Sequence, residues 1–327
     1  MNRPPATFIR VPHQALHAFV TRASQTVGLP PEKAELLAGL LVANDLRGVF
    51  SHGTTQIATY AILMRDGQLN ASPDVRVVRE TPVSVIVDGD GGLGYFPAYE
   101  GTLRAIAKAR AQGIAVMQSR NHGHFGAAGI YTRLTLEHDL LTFVTSGHQL
   151  KLAVAGPPTS AAGGSPMSFC APAEREDPLV VDFGAIHDMY PNSPNLNELA
   201  RLAPGTVFRS IGLGGICQAW GGFLAGVPVD EARAARTYPG ANQGALLITV
   251  QIGLFIDPAR FKSEMDAYAR HVCRLSPLEG FERSQLAGVP EAERERAYRA
   301  EGVPVGPEHQ RRLEGLAAEF GIAVPWR

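Results

Sequence analysis

Three short segments carry side chains able to do chemistry. The first is RGVFSHG, residues 47–53. Ser51 is of a type that caps a helix by accepting a backbone N–H, and His52 would then lie in the first turn. The positive end of the helix dipole disfavours imidazolium there, so the spacing predicts a neutral His52 suited to general-base work. The ordinary alternative is a surface histidine or a core hydrogen-bonder. The second segment is SRNHGHFG, 119–126, with His122 and His124 between a buried strand and a helix. Backbone amides at such a helix start can hold an anion such as a phosphate. The H-x-H spacing also suits zinc, but third and fourth ligands are not evident nearby, and no metal is expected. The third is VVDFGAIHD, 180–188, where Asp182, His187 and Asp188 follow a strand end. A carboxylate there could orient a histidine as in any base–orienter pair, and Asp is equally a common turn former.

Two glycine-rich strings are set aside. VSVIVDGDGGLGYF contains a literal G-x-G-x-x-G at Gly89, Gly91 and Gly94, after a strand and before a helix. No Asp or Glu stands about twenty residues further on, where a ribose-binding acid belongs. The strand also follows three helices that a doubly wound half would not need. It reads as a glycine-rich turn. IGLGGI, 211–216, is similarly unspecific.

The elements that must position these groups follow from periodicity. Leu16, Phe19, Val20 and Val27 predict a helix over 13–27 ended by Gly28. Pro31 starts a second helix, to about 47, burying Ala34, Leu36, Leu37, Leu40 and Leu41. A third begins after Ser51-His52 and ends near Gly67. Strands are predicted over 75–80, 83–88, 114–118, 140–145, 167–171 and 179–182, and helices over 97–112 and 127–138. The stretch AGPPTSAAGGSP is too poor in large apolar groups to be core, and 184–212 is rich in Pro and Asn with little periodicity. An apolar helix over 214–226, a strand or strand pair over 245–256, helices over 258–275 and 307–320, and a polar linker complete the chain. This alternation predicts an α/β or α+β protein. Its expected division is a helical segment 1–75, an α/β region 76–257 holding substrate and cofactor, and a helical segment 258–327 packing back on the N-terminal helices.

Composition narrows the function. The 327 residues are 45% hydrophobic and 19% charged, with net charge −1, as in an ordinary soluble globular protein. Nucleic acid, which needs concentrated positive charge, is not an expected partner. The opening MNRPPATFIRVPHQ lacks a signal peptide's apolar core, and no segment is long and apolar enough for a membrane. Cys170, Cys217 and Cys273 stand at no metal-ligand spacing and are expected to be free buried thiols in a reducing cytoplasm.

In this order, RGVFSHG, YAILMRDGQLN, IVDGDGGLGYFPA, HFGAAGIY, GGSPMSFCAPA, VVDF and NQGALLITVQIGLFIDPARF resemble the malate/L-lactate dehydrogenase-like (type 2) family of nicotinamide-dependent oxidoreductases. The resemblance implies a non-Rossmann α/β fold, a mixed sheet with helices, and a homodimer. It implies NAD or NADP and a small-molecule acid as substrate. Ser51 and His52 become the catalytic pair, with His52 exchanging the substrate's hydroxyl or imine proton. His124 is placed at the cofactor, with a proton-transfer role in some members, and Asp188 is the accompanying acid. Gln56, Arg47 and His187 are assigned to the substrate. His124, Phe125, Gly126, Gly164, Ser165, Asp182 and Phe183 are assigned to the cofactor.

Three departures stand out. Gln56 occupies the place of the family's carboxylate-binding arginine, and brings no charge and no bidentate fork. The family's G-T-N-P turn reads GGSP, with Gly164 and Ser165 changed. The family's lysine-bearing glycine turn appears as SIGLGG without lysine. Either the positive partners are rebuilt from Arg120, Lys151 or Arg209, or hydride transfer is gone and no cofactor is used. The leading expectation is an NAD(P)-dependent oxidoreductase of a small 2-oxo, 2-hydroxy or cyclic imino acid. The alternative is a cofactor-independent lyase, isomerase or tautomerase, for which Ser51, His52, His124 and Asp188 would suffice. A non-catalytic binding relative is the third option.

Overall fold

The computed structural model describes residues 4–190 and 192–326. The first three residues of the N-terminal stretch, residue 191 within 184–212, and the last residue of the C-terminal segment lie outside it. In chain order the elements are β1 (Ile9–Val11), α1 (His13–Thr26), α2 (Pro31–Leu46), α3 (Ile57–Arg65), β2 (Arg76–Thr81), β3 (Ser84–Asp88), α4 (Tyr95–Gln112), β4 (Ile114–His122), α5 (Gly129–Thr135), β5 (Leu140–His148), β6 (Pro166–Ala171) and β7 (Leu179–Gly184). There follow α6 (Leu196–Leu202), α7 (Pro204–Cys217), β8 (Gln243–Gln251), α8 (Pro258–Val272), α9 (Val289–Glu301), β9 (Val303–Val305) and α10 (Pro307–Phe320). Contacts divide the chain into a first unit, 1–73 with 287–327, and a second, 74–286.

In the first unit, β1 and β9 pair antiparallel, Ile9 opposite Val305, and so tie the two ends of the chain into one core. α1 buries Leu16, Phe19, Val20 and Ala23, the 3–4 spacing of one helical face. α10 does the same with His309, Leu313, Leu316 and Ala317. Its ends are written in the sequence: Pro307 at the first position, where a missing N–H costs nothing, and Gly321 left-handed at φ 64° after the last turn.

The second unit is a seven-stranded sheet in the order β2-β3-β4-β8-β5-β6-β7. Only β3 and β4 run parallel, joined through α4; the other pairs are antiparallel. This is a mixed sheet, not a doubly wound parallel one. β8 lies in the middle, and its Gly244–Leu247 run is buried, as a strand covered on both faces must be.

Several expectations are corrected. Residues 184–212 hold α6 and α7. They bury a stripe through Leu196, Leu199, Ala200, Val207, Ile211 and Cys217, but Leu202, Phe208 and Leu213 are exposed between them and blur its period in the sequence. The helix placed at 214–226 begins at Pro204 and passes into a π-helical turn, 218–222. SIGLGG is therefore helix, not a glycine turn. Part of the linker after 275 is the helix α9, whose outer face is charged all along. Three residues each were too few to reveal β1 and β9. Cys170 and Cys217 are buried free thiols, but Cys273 is exposed. In the small-residue stretch, Thr159, Ala162 and Ser165 are buried after all, because small side chains let backbone approach closely.

Candidate active site

In the first unit, α2 ends at Leu46 and the chain turns sharply through Gly48 at φ 76°. Two short 3-10 turns follow, 50–52 and 54–56, and α3 starts only at Ile57. Ser51 therefore caps nothing. Its Oγ lies 2.9 Å from His52 Nδ1, and the His52 carbonyl accepts from Asn44 Nδ2 at 2.9 Å. The His52 pKa is lowered, as expected, but the cause is burial rather than a helix dipole. Gln56 Nε2 donates to the Ser51 carbonyl at 2.6 Å. The Arg47 guanidinium pairs with Glu295 at 2.8 Å and joins the end of α2 to α9.

A buried chain of polar groups stands beside this turn. Thr54 Oγ1 donates to Asp45 Oδ2 at 2.5 Å, the Thr54 amide donates to the same oxygen at 3.0 Å, and Thr54 Oγ1 lies 3.0 Å from His309 Nε2. With the hydroxyl proton given to Asp45, Thr54 accepts from His309 Nε2–H. Burial pushes Asp45 up to about 7 against the pull of the Thr54 hydrogen bonds. It pushes His309 down to about 4, with Arg312 adding to the effect. Gly53 makes room for this carboxylate: a Cβ there would lie 1.7 Å from Asp45 Oδ1. Sequence reasoning missed Asp45, Thr54 and His309. The only signal was a histidine in the first turn of a helix, unremarkable without its distant partner.

In the second unit, β4 delivers SRNHGHFG. His122 is the buried histidine, with Nε2 2.9 Å from Ser119 Oγ and Nδ1 2.7 Å from the Gly123 carbonyl oxygen. Burial lowers it to about 4. The glycines of the G-x-G-x-x-G string accommodate protein: Cβ atoms at Gly89 and Gly94 would collide with His122, and one at Gly91 with Tyr238. His124 is half-buried, and its carbonyl accepts from the Gly94 amide at 3.0 Å. Phe125 is buried and stacks on Tyr131, ring centroids 5.3 Å apart. Gly126, at φ 84°, faces the Tyr95 ring. The Asp182 carboxylate comes within 2.4 Å of where a Gly129 Cβ would stand.

The loops 163–165 and 184–188 are joined by backbone bonds. The Ser165 carbonyl accepts from Ala185 N at 2.9 Å and its Oγ from Ile186 N at 3.3 Å. Ser165 at φ 45° and Asp188 at φ 65° are left-handed without being glycine, and Gly164 adjoins Ser165. Phe183, Asp182, His187 and Asp188 are exposed. His187 Nε2 is 3.7 Å from Asp188 Oδ1, too far for the hydrogen bond of a base–orienter pair.

This set suits part of a dinucleotide. Carboxylates can accept from ribose hydroxyls, and an exposed phenylalanine offers a ring to stack on. A diphosphate calls for cations, and the seven assigned residues include no lysine or arginine. Nor do the suggested replacements stand ready. Arg120 pairs with Asp88 at 3.0 Å, Lys151 is 3.8 Å from Glu231, and Arg209 lies back over Gly205 of its own helix. Among the described residues there is no group of three or more His, Cys, Asp or Glu that could hold a metal ion.

Residues 11–185, which contain the Ser51–His52 turn, the HFG segment and the strand ending in Asp182, match the model of the malate/L-lactate dehydrogenase family. The chain belongs to that family. It is 34% identical over 175 residues to a malate dehydrogenase of Pyrococcus horikoshii, a match covering 54% of this chain and 48% of that protein. The matched part thus spans about half of that relative. An L-sulfolactate dehydrogenase of Methanocaldococcus jannaschii is 24% identical, over 91% of this chain and 93% of its own length. Among solved structures, the malate dehydrogenase of Pyrococcus horikoshii superposes with a TM-score of 0.86 over 99% of each chain at 24% identity. The delta1-piperideine-2-carboxylate reductase of Pseudomonas syringae gives 0.70 at 20% identity, over 94% of this chain and all of that one. At these identities the superpositions establish the fold.

Proposed function

We propose that this chain is an oxidoreductase that moves a hydride between NAD or NADP and a small 2-oxo, 2-hydroxy or cyclic imino acid. The observation that carries this is the Ser51–His52 pair, hydrogen-bonded at 2.9 Å with a histidine kept neutral by burial, inside a dehydrogenase family's sequence motif. The nicotinamide supplies the hydride acceptor or donor. In oxidation, neutral His52 takes the substrate's hydroxyl proton, and in reduction it returns one to the carbonyl or imine. Ser51 Oγ fixes the imidazole's orientation through Nδ1. His124, with Gly164, Ser165, Asp182 and Phe183, is assigned to the dinucleotide, and Asp188 to the accompanying acid.

One observation favours a second reading. SIGLGG is helical and without lysine, and the exposed ionisable groups of the 182–188 edge are two carboxylates and one imidazole. A lyase, isomerase or tautomerase would need only the proton-moving groups. Titration of NADH and NADPH against wild type and His124→Ala separates the two, followed by intrinsic fluorescence and thermal shift. The oxidoreductase reading expects saturable binding of one nucleotide, raised melting temperature and weaker binding by His124→Ala. Failure of both nucleotides to bind would contradict the oxidoreductase reading. The homodimer and the cytoplasmic location are carried over from the resemblance and the free thiols. No described helix is long and apolar enough to cross a membrane.

A further inference from the structure

The first unit contains a cleft of about 450 Å³, lined among others by Phe50, Ser51, Gln56, His309 and Arg312. Its size is that of a small-molecule site. Ser51 and Gln56 come from the 3-10 turns, and His309 and Arg312 from the first two turns of α10. Glu308 also lines it, from the exposed side of that helix. His309 is neutral at ordinary pH. Among the described residues that line the cleft, the permanent positive charge is Arg312.

Gln56 is poorly placed to replace an arginine. Its Nε2 already gives one of its two N–H groups to the Ser51 carbonyl at 2.6 Å. Arg312 has five N–H donors in a planar fork. Nη2 donates to Thr59 Oγ1 at 2.6 Å, which steadies the guanidinium against α3. The helix that carries it is anchored one turn earlier by the His309–Thr54–Asp45 chain. Arg312 lines the same cleft as Ser51, and a guanidinium held by a neighbouring hydroxyl is suited to recognise a small carboxylate.

We propose that Arg312 is the carboxylate anchor of this protein, taking from α10 the role that position 56 does not fill. The substrate is then a small organic acid seated in this cleft, its carboxylate on Arg312 and its reacting carbon towards Ser51. This rests on Ser51–His52 being the proton-transfer pair.

The test is calorimetric titration of oxamate and picolinate, with the uncharged picolinamide as control, with and without NADH. Wild type binds at least one of the two acids and discriminates against the amide. Arg312→Gln, which keeps the length and packing of the stem, loses tenfold or more in affinity, while Arg312→Lys loses less. Adding Gln56→Arg to Arg312→Gln recovers affinity. Circular dichroism checks that each variant is folded. Equal affinity in wild type and Arg312→Gln, or no binding of either acid by wild type, overturns the proposal. If Arg312→Gln loses the acid but wild type shows no nicotinamide turnover, the anchor stands and hydride transfer falls. If turnover is present with an unchanged KM in Arg312→Gln, the reverse holds.

Discussion

In the first unit, Asp45, Thr54 and His309 form a buried chain of hydrogen bonds beside a hydrogen-bonded Ser51–His52 pair. In the second, Asp182 on β7 and His187 and Asp188 on the loop after it lie exposed, and Ser165 and Asp188 are left-handed without being glycine. Buried polar groups must find protein partners, so their geometry is settled before any ligand arrives. Exposed ones are held by solvent until a ligand selects a position. The family match runs from 11 to 185 and stops within that exposed edge. The Ser51–His52 turn and its buried neighbours Asp45 and Thr54 lie inside that match, and His187 and Asp188 lie beyond its end.

The sharpest way to break the comparison is His52→Ala. Loss of a general base costs a hundredfold to ten-thousandfold, so turnover of the true substrate should fall by at least that hundredfold with the fold retained by circular dichroism. A loss of less than about threefold would remove His52 from the mechanism and the contrast with it.

A smaller effect is expected from Asp45→Asn. The Asp45 carboxyl is raised from 3.8 to about 7 in the folded protein. Such a group gives stability that is fully present below 3.8 and is lost as pH climbs through about 7. Asp45→Asn lacks this loss, so its melting temperature relative to wild type should climb by several degrees across that window. His122 and His309, both lowered to about 4, act oppositely, adding stability as pH rises towards the ordinary histidine value. Both are present in both proteins; His122 cancels in the difference curve, which reports Asp45 together with its link through Thr54 to His309. Parallel melting curves at all pH values would show that the carboxyl titrates normally and that the buried chain does not hold it.

Much of this molecule was legible in advance. The strands from 76 to 184 and the helices α1, α2, α4, α8 and α10 follow from apolar spacing, Pro at helix starts and Gly past helix ends, because local rules and tertiary packing agree there. The family followed from short segments. What could not be read depends on distance in sequence. His309 and Arg312 gain meaning only beside residues 51–56, some 250 positions earlier. In α6 and α7 exposed apolar residues such as Leu202 and Phe208 stand between the buried ones and blur the period, and α9 presents charge on most of its turns. The glycine string at 89–94 was read as a glycine-rich turn; that His122 and Tyr238 fold over it could not be read, because no local rule foretells which side chain will cover a turn.

The central claim is that this chain transfers a hydride. The measurement that tests it most directly is nicotinamide absorbance, followed after mixing stoichiometric enzyme with NADH or NADPH and a panel of 2-oxo and cyclic imino acids, wild type beside His52→Ala. The account predicts that absorbance falls with one acid and one nucleotide in wild type, and at least a hundredfold more slowly in His52→Ala. Unchanged nicotinamide absorbance across the panel, together with His52-dependent conversion of one of those acids to an isomer or a cleaved product, would contradict it.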